Sequence, residues 1–514
     1  MSVLEIKNLS HRYDDRYLFD KANLTVGSGE HIGVVGLNGA GKSTFINILD
    51  KRVSQDEGEV NYLNGIRRGY LDQHATIDGS LTVMQYLTSA FDYLYEKNAL
   101  LESVYNEMAD ADGERLDYLI KKSSRLSDEL LEADFYDLEA KIKRTANGLG
   151  VNKFGYNTVI ANLSGGERAK LMLSKLLLSE LDIMLLDEPT NFLDIEHVDW
   201  LVKYLTGYKK TFLVISHDTA FLDKVCKIIV NIENGRVKKY SGNYSQFVVQ
   251  RAEDARQYED EYRRQQAEIK RLSDYIERNK ARAATAKMAH SRQKALDKMD
   301  VLQKPTEIAE CSFNFPYTEI NAKEFFKTKK LTVGYDYPLI ENIDLLLNST
   351  DKLWIRGTNG VGKTTFIKTV LRKIKSLGGS FFIHPEARVL YLEQELKFDD
   401  AAMTATEYYS NLRPMDNIKQ VRQALAQAGI KGELASKPVV KLSGGEQVRV
   451  RLSVITKSPS NLLILDEPTN HLDVVAKKAL QKALQEYPGA IILVSHEQEF
   501  ASSVCNKVFD AKGK

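Results

Sequence analysis

The sequence has 514 residues, with 71 basic and 70 acidic side chains, 43% hydrophobic residues and three cysteines. This length is typical of about three domains, each large enough to bury a core without disulfides or metals. No apolar run reaches the roughly 18 residues of a membrane span, and the first residues lack the pattern of a secretory signal. The widely spaced cysteines, without a Cys-x-x-Cys pair, argue against a zinc site and favour a reducing, cytoplasmic location.

The chain is a repeat with two unequal halves. The segment Gly-Leu-Asn-Gly-Ala-Gly-Lys-Ser at 36–43 has a counterpart at 357–364, which is 321 residues later. The segments Leu-Ser-Gly-Gly-Glu at 163–167 and Leu-Asp-Glu-Pro-Thr-Asn at 186–191 have counterparts only 279 residues later. The first half therefore contains an insertion of 42 residues between Gln73 and Ser164.

Each Gly-x-x-x-x-Gly-Lys-Ser/Thr segment follows a short apolar run and precedes a helical pattern. In this context glycines let backbone N–H groups face phosphate oxygens, helped by the helix N-terminus. We expect the lysine to hold the β and γ phosphates of ATP and the hydroxyl after it to bind Mg²⁺. The predicted ATP-binding residues are Gly36, Asn38, Gly39, Gly41, Lys42, Ser43 and Thr44 in the first half, and Gly357, Asn359, Gly360, Gly362, Lys363, Thr364 and Thr365 in the second.

The insertion is predicted to form a helical hairpin, the arm, at about 88–141. Its residues step by three and four, as on one face of a helix, and a turn is expected at 110–113. Such a stripe is usually a packing seam, and it does not identify a partner. The predicted seam consists of Phe91, Leu94, Asn98, Leu101, Tyr105 and Met108 on the first helix, and Leu116, Leu119, Ser123, Leu126 and Leu130 on the second.

In each half a buried-strand pattern ends in an acidic pair, at Asp187-Glu188 and at Asp466-Glu467. Open α/β sheets bind ligands at the carboxyl ends of their strands. We therefore assign Asp187 and Asp466 to the Mg²⁺ shell, and Glu188 and Glu467 to the role of general base. An isolated Asp-Glu pair is usually a surface feature, so this inference depends on the order of the surrounding segments.

A second helical hairpin, the linker, is predicted between the halves, with a basic tip at 278–294. The region 262–298 has a net charge of +7, so the rest of the chain sums to −6 although the total is only +1. Solvated helices usually mix charges, whereas the tip contains no acidic residue, which favours a nucleic-acid contact. The predicted RNA-binding residues are Arg278, Lys280, Arg282, Lys287, Arg292 and Lys294.

The order of these motifs resembles that of an ATP-binding cassette nucleotide-binding domain, present twice. The resemblance implies tyrosines that stack on adenine, Q-loop glutamines that sense Mg²⁺ and the γ-phosphate, D-loop aspartates and switch histidines that contact the γ-phosphate. By position these are Tyr13 and Tyr335 (or Tyr17 and Tyr337), Gln73 and Gln394, Asp194 and Asp473, and His217 and His496.

The resemblance also implies that the halves close head to tail over two ATP molecules. Each site would then be completed by the Ser-Gly-Gly segment of the opposite half, where a helix N-terminus faces the γ-phosphate. The site built on Lys42 would receive Ser443, Gly444 and Gly445, and the site built on Lys363 would receive Ser164, Gly165 and Gly166.

As a whole, the chain resembles the ABC-F family of ribosome-associated ATPases, and 277–299 resembles that family's tRNA-interaction motif. The implied fold is α/β: two P-loop ABC-type nucleotide-binding domains, an α-helical arm inserted in the first and an α-helical hairpin linker between them. The expected domains are 1–245, 246–320 and 321–514. Phe192 departs from the histidine found at 471, which indicates that the two sites differ.

Family resemblance implies a cytoplasmic ATP hydrolase, monomeric through pairing of its own cassettes and without stable membrane insertion. It would bind the ribosome in its ATP-bound closed state and contact ribosomal RNA and the P-site tRNA near the peptidyl-transferase centre. It would modulate translation and be released by hydrolysis. Two alternatives remain: antibiotic resistance by ribosome protection with the same ATPase, and the ATPase subunit of a membrane transporter. A repair ATPase would need zinc-binding cysteine clusters, and a chromosome-maintenance ATPase would need hundreds of coiled-coil residues.

Overall fold

The computed structural model describes residues 2–13, 16–37, 39–71, 77–279, 286–299, 301–302, 311–320, 322, 324–358, 360–394, 400, 402–470 and 472–511. Within these ranges the two halves form separate α/β cassettes, each with one mainly parallel sheet and one small antiparallel sheet. The predicted fold class is confirmed, with the arm inside the first cassette and a helical hairpin between the cassettes. The domain boundaries at 245 and 320 stay predictions.

The first cassette is built around a six-stranded sheet in the order β5-β6-β7-β3-β8-β9. A three-stranded antiparallel sheet, β2-β1-β4, packs beside it. The strands are β1 (Ser2–Tyr13), β2 (Arg16–Gly27), β3 (His31–Val35), β4 (Glu57–Tyr62), β5 (Arg68–Leu71), β6 (Ile183–Asp187), β7 (Thr211–Ile215), β8 (Ile228–Glu233) and β9 (Arg236–Ser241). The helices are α1 (Lys42–Leu49), α2 (Val83–Thr88), α3 (Asp92–Met108), α4 (Gly113–Glu132), α5 (Leu138–Gly148), α6 (Gly165–Leu178), α7 (Ile195–Thr206) and α8 (Thr219–Val225).

The second cassette repeats this plan with a five-stranded sheet in the order β14-β15-β16-β12-β17 and an antiparallel sheet, β11-β10-β13. Its strands are β10 (Phe326–Gly334), β11 (Pro338–Leu347), β12 (Lys352–Arg356), β13 (Gly378–Ile383), β14 (Val389–Leu392), β15 (Leu462–Asp466), β16 (Ala490–Val494) and β17 (Lys507–Asp510). The linker contains α9 (Tyr244–Asn279) and α10 (Ala286–Asp297). The remaining helices are α11 (Lys363–Val370), α12 (Ala405–Leu412), α13 (Ile418–Gln427), α14 (Glu433–Ser436), α15 (Gly444–Ile455), α16 (Val474–Glu486) and α17 (Gln498–Val504).

The central strands explain where the functional side chains gather. β3 and β7 are buried along their whole length, as is typical of parallel strands covered on both faces. In parallel register, Val34 of β3 pairs with Ile215 of β7, and Asp187 of β6 pairs with the same Ile215. The carboxyl ends of β3, β6 and β7 therefore meet at one edge of the sheet, next to the start of α1.

The arm is a pair of helices, α3 and α4, whose seam continues the core of the first cassette. Leu101 and Leu119 are buried, as predicted, but the prediction for Tyr105 was wrong. Tyr105 is half exposed, and the buried position in that turn is its neighbour Val104. The predicted positions Leu101 and Met108 stay in the seam. The third and the fourth residue after Leu101 both lie beside its face of the helix, and the apolar Val104 is the one that is buried.

The linker hairpin is long, polar and attached to both cassettes. α9 has 36 residues, which corresponds to about 54 Å at 1.5 Å per residue. Its base is held on the first cassette by Arg251, whose Nε and Nη2 donate to the carboxylate of Glu233 at 3.1 and 2.9 Å. After the hairpin, the segment 311–320 packs on the second cassette, where the N–H of Ser460 donates to Pro316 and Ser460 accepts from the N–H of Thr318.

Most of the predicted tip is helical, because α10 begins at Ala286. Arg278, Arg292 and Lys294 are exposed, and the Arg292 guanidinium lies 3.6 Å from the ring centre of Tyr275 on α9. Lys280 and Arg282, and the side chain of Lys287, lie outside the described residues. Within the described ranges, no helix combines the length and apolarity that crossing a membrane requires.

Two neighbouring leucines of the arm allow its packing to be tested. Leu101 is 4% exposed in the seam, whereas Leu100 is 43% exposed. We expect Leu101→Ala to destabilise the arm by about 2 to 4 kcal/mol because it opens a cavity, and Leu100→Ala to change stability by less than about 0.5 kcal/mol. Hydrogen exchange of the amides in 92–132 measures both changes. Equal exchange in the two variants would show that the seam does not stabilise the arm.

Candidate functional site

The first glycine-rich loop leaves β3 and leads into α1 with backbone angles that favour glycine. Gly39 and Gly41 have φ values of 74° and 92°, and the space beside Gly39 is open, so that no atom lies within 4 Å of where a Cβ would stand. The Lys42 ammonium is buried and donates to the carbonyls of Gly36 and Leu37 at 3.0 and 3.2 Å. This geometry forms an open pocket with a buried cation at its base, which fits a phosphate group.

The second glycine-rich loop repeats these features. Gly360 and Gly362 have φ values of 77° and 110°. Lys363 donates to the carbonyls of Gly357 and Thr358 at 2.7 and 3.2 Å, and its Nζ also lies 3.2 Å from His496 Nε2. The two halves therefore present equivalent phosphate pockets, and in the second the switch histidine is already beside the lysine.

The two candidate bases have unusual backbone conformations. Glu188 and Glu467 have φ values of 48° and 50°, a left-handed conformation that is uncommon for residues other than glycine. Their N–H groups donate to Ile215 and Val494 on the neighbouring strands at 2.9 and 3.0 Å. The ladder is thus extended by one residue while the side chain turns toward the end of the sheet. Strain of this kind persists where the surrounding structure holds it, and functional sites are common examples.

Burial changes the proton affinity of these carboxyl groups. Burial raises the pKa of Glu188 to about 8, and the neighbouring carboxylate of Asp187 adds to the effect. Burial likewise raises the pKa of Glu467, while the ammonium of Lys363 opposes the shift. Glu188 is therefore mostly protonated at pH 7 in this structure, and it can accept a proton from water only in its ionised form.

Each switch histidine lies next to the glutamate of its own cassette. His217 Nε2 is 3.5 Å from Glu188 Oε1, and His496 Nε2 is 3.1 Å from Glu467 Oε1. The backbone N–H of each histidine also donates to the other oxygen of that carboxylate at 3.3 Å. Burial and, to a smaller extent, the adjacent cation of Lys363 together lower the pKa of His496 to about 4. The imidazole of His496 is therefore neutral at pH 7.

The oxygen atoms expected to bind Mg²⁺ are close together in the second cassette. Thr364 Oγ1 donates to Asp466 Oδ2 at 2.8 Å. The other oxygen, Oδ1, is buried and accepts no hydrogen bond from the described residues. A hydroxyl and an available carboxylate oxygen fit the preference of Mg²⁺ for a few hard oxygen ligands. In the first cassette, Ser43 and Asp187 line one cavity together.

That cavity, of about 1090 Å³, is formed by both cassettes. The first cassette contributes Lys42, Glu188 and His217 with the loop before α1. The second contributes Ser443, Gly444 and Gly445, the segment that begins α15. The structure thus places the first phosphate loop and the Ser-Gly-Gly segment of the second half on the same cavity. This is the head-to-tail arrangement expected from the sequence.

Electrostatic contacts between the halves indicate that the other site is shared in the same way. Burial lowers the pKa of Lys42, and the D-loop carboxylate of Asp473 from the second cassette opposes that shift. Reciprocally, Asp194 of the first cassette acts on Lys363 and His496 of the second. The approach of Ser164, Gly165 and Gly166 to Lys363 stays a prediction.

The D-loops themselves differ between the cassettes. Asp473 Oδ1 accepts from the N–H of Ala476 at 2.9 Å and so caps α16. Asp194 instead lies 3.2 Å from the buried ammonium of Lys170 and 3.2 Å from His197 Nδ1. The asymmetry foreseen from Phe192 thus extends to the partners of the D-loop aspartates.

Several predicted residues lie away from these contacts. Tyr13 and Tyr335 are 68% and 56% exposed, and neither is among the residues lining the shared cavity. Gln394 is exposed just after β14. Their roles stay predictions. Asn38, Asn359 and Gln73 lie outside the described residues.

Comparisons with known proteins agree with this geometry. A family model described as ABC transporter matches residues 19–191 and 340–470, and a further ABC transporter model matches 230–315. An uncharacterized ABC transporter ATP-binding protein, YfmM of Bacillus subtilis, is 40% identical over 512 residues, 100% of this chain and 99% of that protein. ABC transporter F family member 2 of Arabidopsis thaliana is 31% identical, over 99% of this chain and 76% of that protein.

The chain belongs to the ABC-F family. Its two cassettes are ATP-binding domains and make it an ATPase. The solved structure of an archaeal ribosome recycling factor, aABCE1, in complex with the archaeal ribosomal stalk protein aP1 shares the twin-cassette fold. Its TM-score is 0.60 at 19% identity, and the match covers 98% of this chain and 87% of that one.

The sequence motifs missed several charged residues of the shared cavity, and Lys477 is the one that contacts the other cassette. Lys477, on α16, lines the cavity and donates from Nζ to the backbone carbonyl of His217 in the first cassette at 3.2 Å. The corresponding residue 279 positions earlier is Val198. This difference between the repeats was the available signal, although the direction of the lysine side chain cannot be derived from it.

The raised pKa of Glu188 predicts the pH dependence of hydrolysis in this ABC-F protein. In an E467Q variant only the site with Glu188 retains its base. Glu188 must be deprotonated to accept a proton, so we expect kcat/KM for ATP to fall as the pH drops through about 8, by about tenfold per pH unit. Steady-state rates between pH 6 and 9.5, corrected for the E188Q/E467Q double variant, measure this. A kcat/KM that stays constant down to pH 6.5 would contradict the assignment.

Proposed function

We propose that this ABC-F ATPase binds the ribosome in its ATP-bound closed state and places the linker tip near the P-site tRNA and peptidyl-transferase centre. It thereby modulates translation, and hydrolysis releases it. The observation that carries the proposal is the linker: a helix of 36 residues that leads from a cassette to an exposed, acid-free basic tip. The fold shared with an archaeal ribosome recycling factor supports the same class of partner.

The charge of the tip fits folded RNA. Arg278, Arg292 and Lys294 are exposed at the far end of the hairpin, and cations there gain affinity by releasing counterions from phosphates. Lower on α9, arginines are paired with glutamates, as in Arg263–Glu259 and Arg271–Glu268. The basic character is thus concentrated at the tip, and such a probe recognises the shape and backbone of RNA rather than its sequence.

The catalytic roles follow from the geometry of the shared site. Lys42 and the start of α15 hold the γ-phosphate from opposite cassettes, so the triphosphate joins them. Glu188 accepts the proton of the attacking water, and His217 contacts the γ-phosphate beside it. Ser43 and Asp187 would hold Mg²⁺, which would neutralise part of the phosphate charge when bound. Loss of the γ-phosphate removes the shared anion, and the cassettes separate.

The second site has the same roles. Lys363 with Thr364 and Asp466 bind the phosphates and the cation, Glu467 is the base and His496 is the switch histidine. In the described structure His496 contacts both Lys363 and Glu467, so the side chains of this site also contact one another directly.

Replacing both bases tests the coupling of hydrolysis to release. We expect Glu188→Gln with Glu467→Gln to lower ATP turnover by about 100-fold or more, because neither site can deprotonate water. With ATP, the variant should pellet with ribosomes and inhibit translation in an extract. Glu486→Gln, on the exposed face of α16, is the matched control and should behave as the parent. Normal turnover, or failure to pellet with ATP, contradicts the proposal.

Charge reversal at the tip tests the RNA contact separately. We expect Arg278→Glu, Arg292→Glu and Lys294→Glu together to weaken ATP-dependent ribosome binding by about tenfold or more, and to reduce its salt slope by about 2 to 3. ATP turnover without ribosomes should stay within about twofold, because the tip is far from both sites.

The control for that experiment is the triple reversal at Arg263, Arg264 and Lys270, which changes the net charge equally but lower on α9. An equal loss of binding in the control would show that overall charge, and not the tip, determines affinity. Full ribosome binding by the tip variant would show that the tip does not carry the RNA contact. Preferential recovery of the protein with a membrane permease would favour the transporter-type alternative.

A further inference from the structure

One ammonium group joins the loops that carry the two switch histidines. Lys477 lies one turn into α16, and its side chain is 12% exposed. Its Nζ donates to the backbone carbonyl of His217 in the first cassette at 3.2 Å, and lies 2.6 Å from Glu497 Oε1 in the second. Glu497 directly follows His496. A single side chain therefore links the loop after β7 to the loop after β16.

This side-chain link has no equivalent at the corresponding positions of the first cassette. The counterpart of Lys477 is Val198, which has no side-chain donor, although it lines the same cavity. The counterpart of Glu497 is Asp218, whose Oδ1 accepts from the N–H of Phe221 at 2.9 Å and so caps α8 of its own cassette. Thus a cation of the second cassette contacts the loop of His217. At the corresponding positions of the first cassette, Val198 has no charge and Asp218 has a partner in its own cassette.

The environment makes this contact specific. A mostly buried ammonium is costly unless it is paired and its donors are satisfied. Lys477 meets this requirement through one carboxylate and one carbonyl that belong to different cassettes. The loop of His217 also holds Glu188, since the N–H of His217 donates to the Glu188 carboxylate at 3.3 Å. Lys477 therefore contacts the loop that holds both groups of the first site.

We propose that Lys477 is a positioning residue that couples the two ATP sites in one direction. It holds the His217 loop in place for hydrolysis at the site built on Lys42, and it communicates the position of the His496–Glu497 loop to that site. The proposal rests on the roles proposed for Glu188 and His217. It is independent of the ribosome, so its test uses the chain alone.

Site-specific kinetics test the proposal. We measure ATP turnover of Lys477→Met in the E467Q background, where only the first site retains its base, and in the E188Q background, where only the second does. We expect kcat in the E467Q background to fall about tenfold with KM within about twofold. In the E188Q background the change should stay below about twofold, because the N–H of Glu497 keeps its contact with Ser495 Oγ.

Two variants on the same helix provide the controls. Lys477→Arg keeps the cation and should restore kcat in the E467Q background to within about threefold of the parent. Lys478→Met removes a cation from the adjacent, exposed position and should change neither background. Equal losses in both backgrounds, no rescue by arginine, or an effect confined to KM would each overturn the one-way positioning role.

Hydrogen exchange provides a readout that does not depend on activity. In Lys477→Met the amides of 216–222 should exchange faster, while those of β6, at 183–187, should be unchanged. Faster exchange throughout both cassettes, or a large fall in the thermal unfolding temperature, would show a merely structural lysine. If the kinetics of Lys477→Met follow the expectation, then failure of the ribosome-binding tests would contradict the proposed cellular function alone.

Discussion

The burial of one lysine ammonium in each cassette is the constraint on which the rest of the site depends. Lys42 donates to two carbonyls of its own loop, and burial lowers its pKa against the pull of Glu188, Asp187 and Asp473. Carbonyl groups are weaker partners for a cation than a phosphate is. The pocket is therefore arranged for an anion, and one of the carboxylates that maintain its charge comes from the opposite cassette. The closure of the two cassettes and the binding of nucleotide therefore depend on the same group of charges.

Burial also determines the properties of the two candidate bases. Glu188 and Glu467 occupy a left-handed backbone conformation while their N–H groups remain in the strand ladder. Their pKa values are raised because the edge of the sheet where they lie is buried. A base that is poorly ionised in the free enzyme becomes effective when cations gather around it. In the proposed mechanism, completion of the site by the second cassette and its ligands is the trigger for hydrolysis.

The sequence was sufficient for features that depend on local chain geometry. Glycine-rich loops, acidic pairs at strand ends and the Ser-His segments each lie within a few residues of the strand that positions them, so their spacing predicts their location. Prediction was weaker where the helical pattern allows two neighbouring positions, as on α3, where Tyr105 was chosen but the buried residue is Val104. It was absent where the partner is a backbone atom of the other half. Lys477 and the carbonyl of His217 are 260 residues apart, and no spacing rule relates them.

The two ends of the linker are attached to different cassettes, so the position of its tip depends on how the cassettes are arranged. The base of α9 is fixed to the first cassette through Arg251 and Glu233. The returning segment is fixed to the second through backbone hydrogen bonds at Ser460, with Phe313 and Phe315 buried in that cassette's core. Because the two ends are attached to different cassettes, any rotation between the cassettes must be taken up by the chain between these two attachments. A rotation of about 10° about the base of a helix about 54 Å long moves its far end by about 9 Å. Under the proposed function, the ATP-dependent contacts between Lys42 and the Ser-Gly-Gly segment of the opposite cassette set where the basic tip lies, so that loss of one phosphate changes the position of the tip.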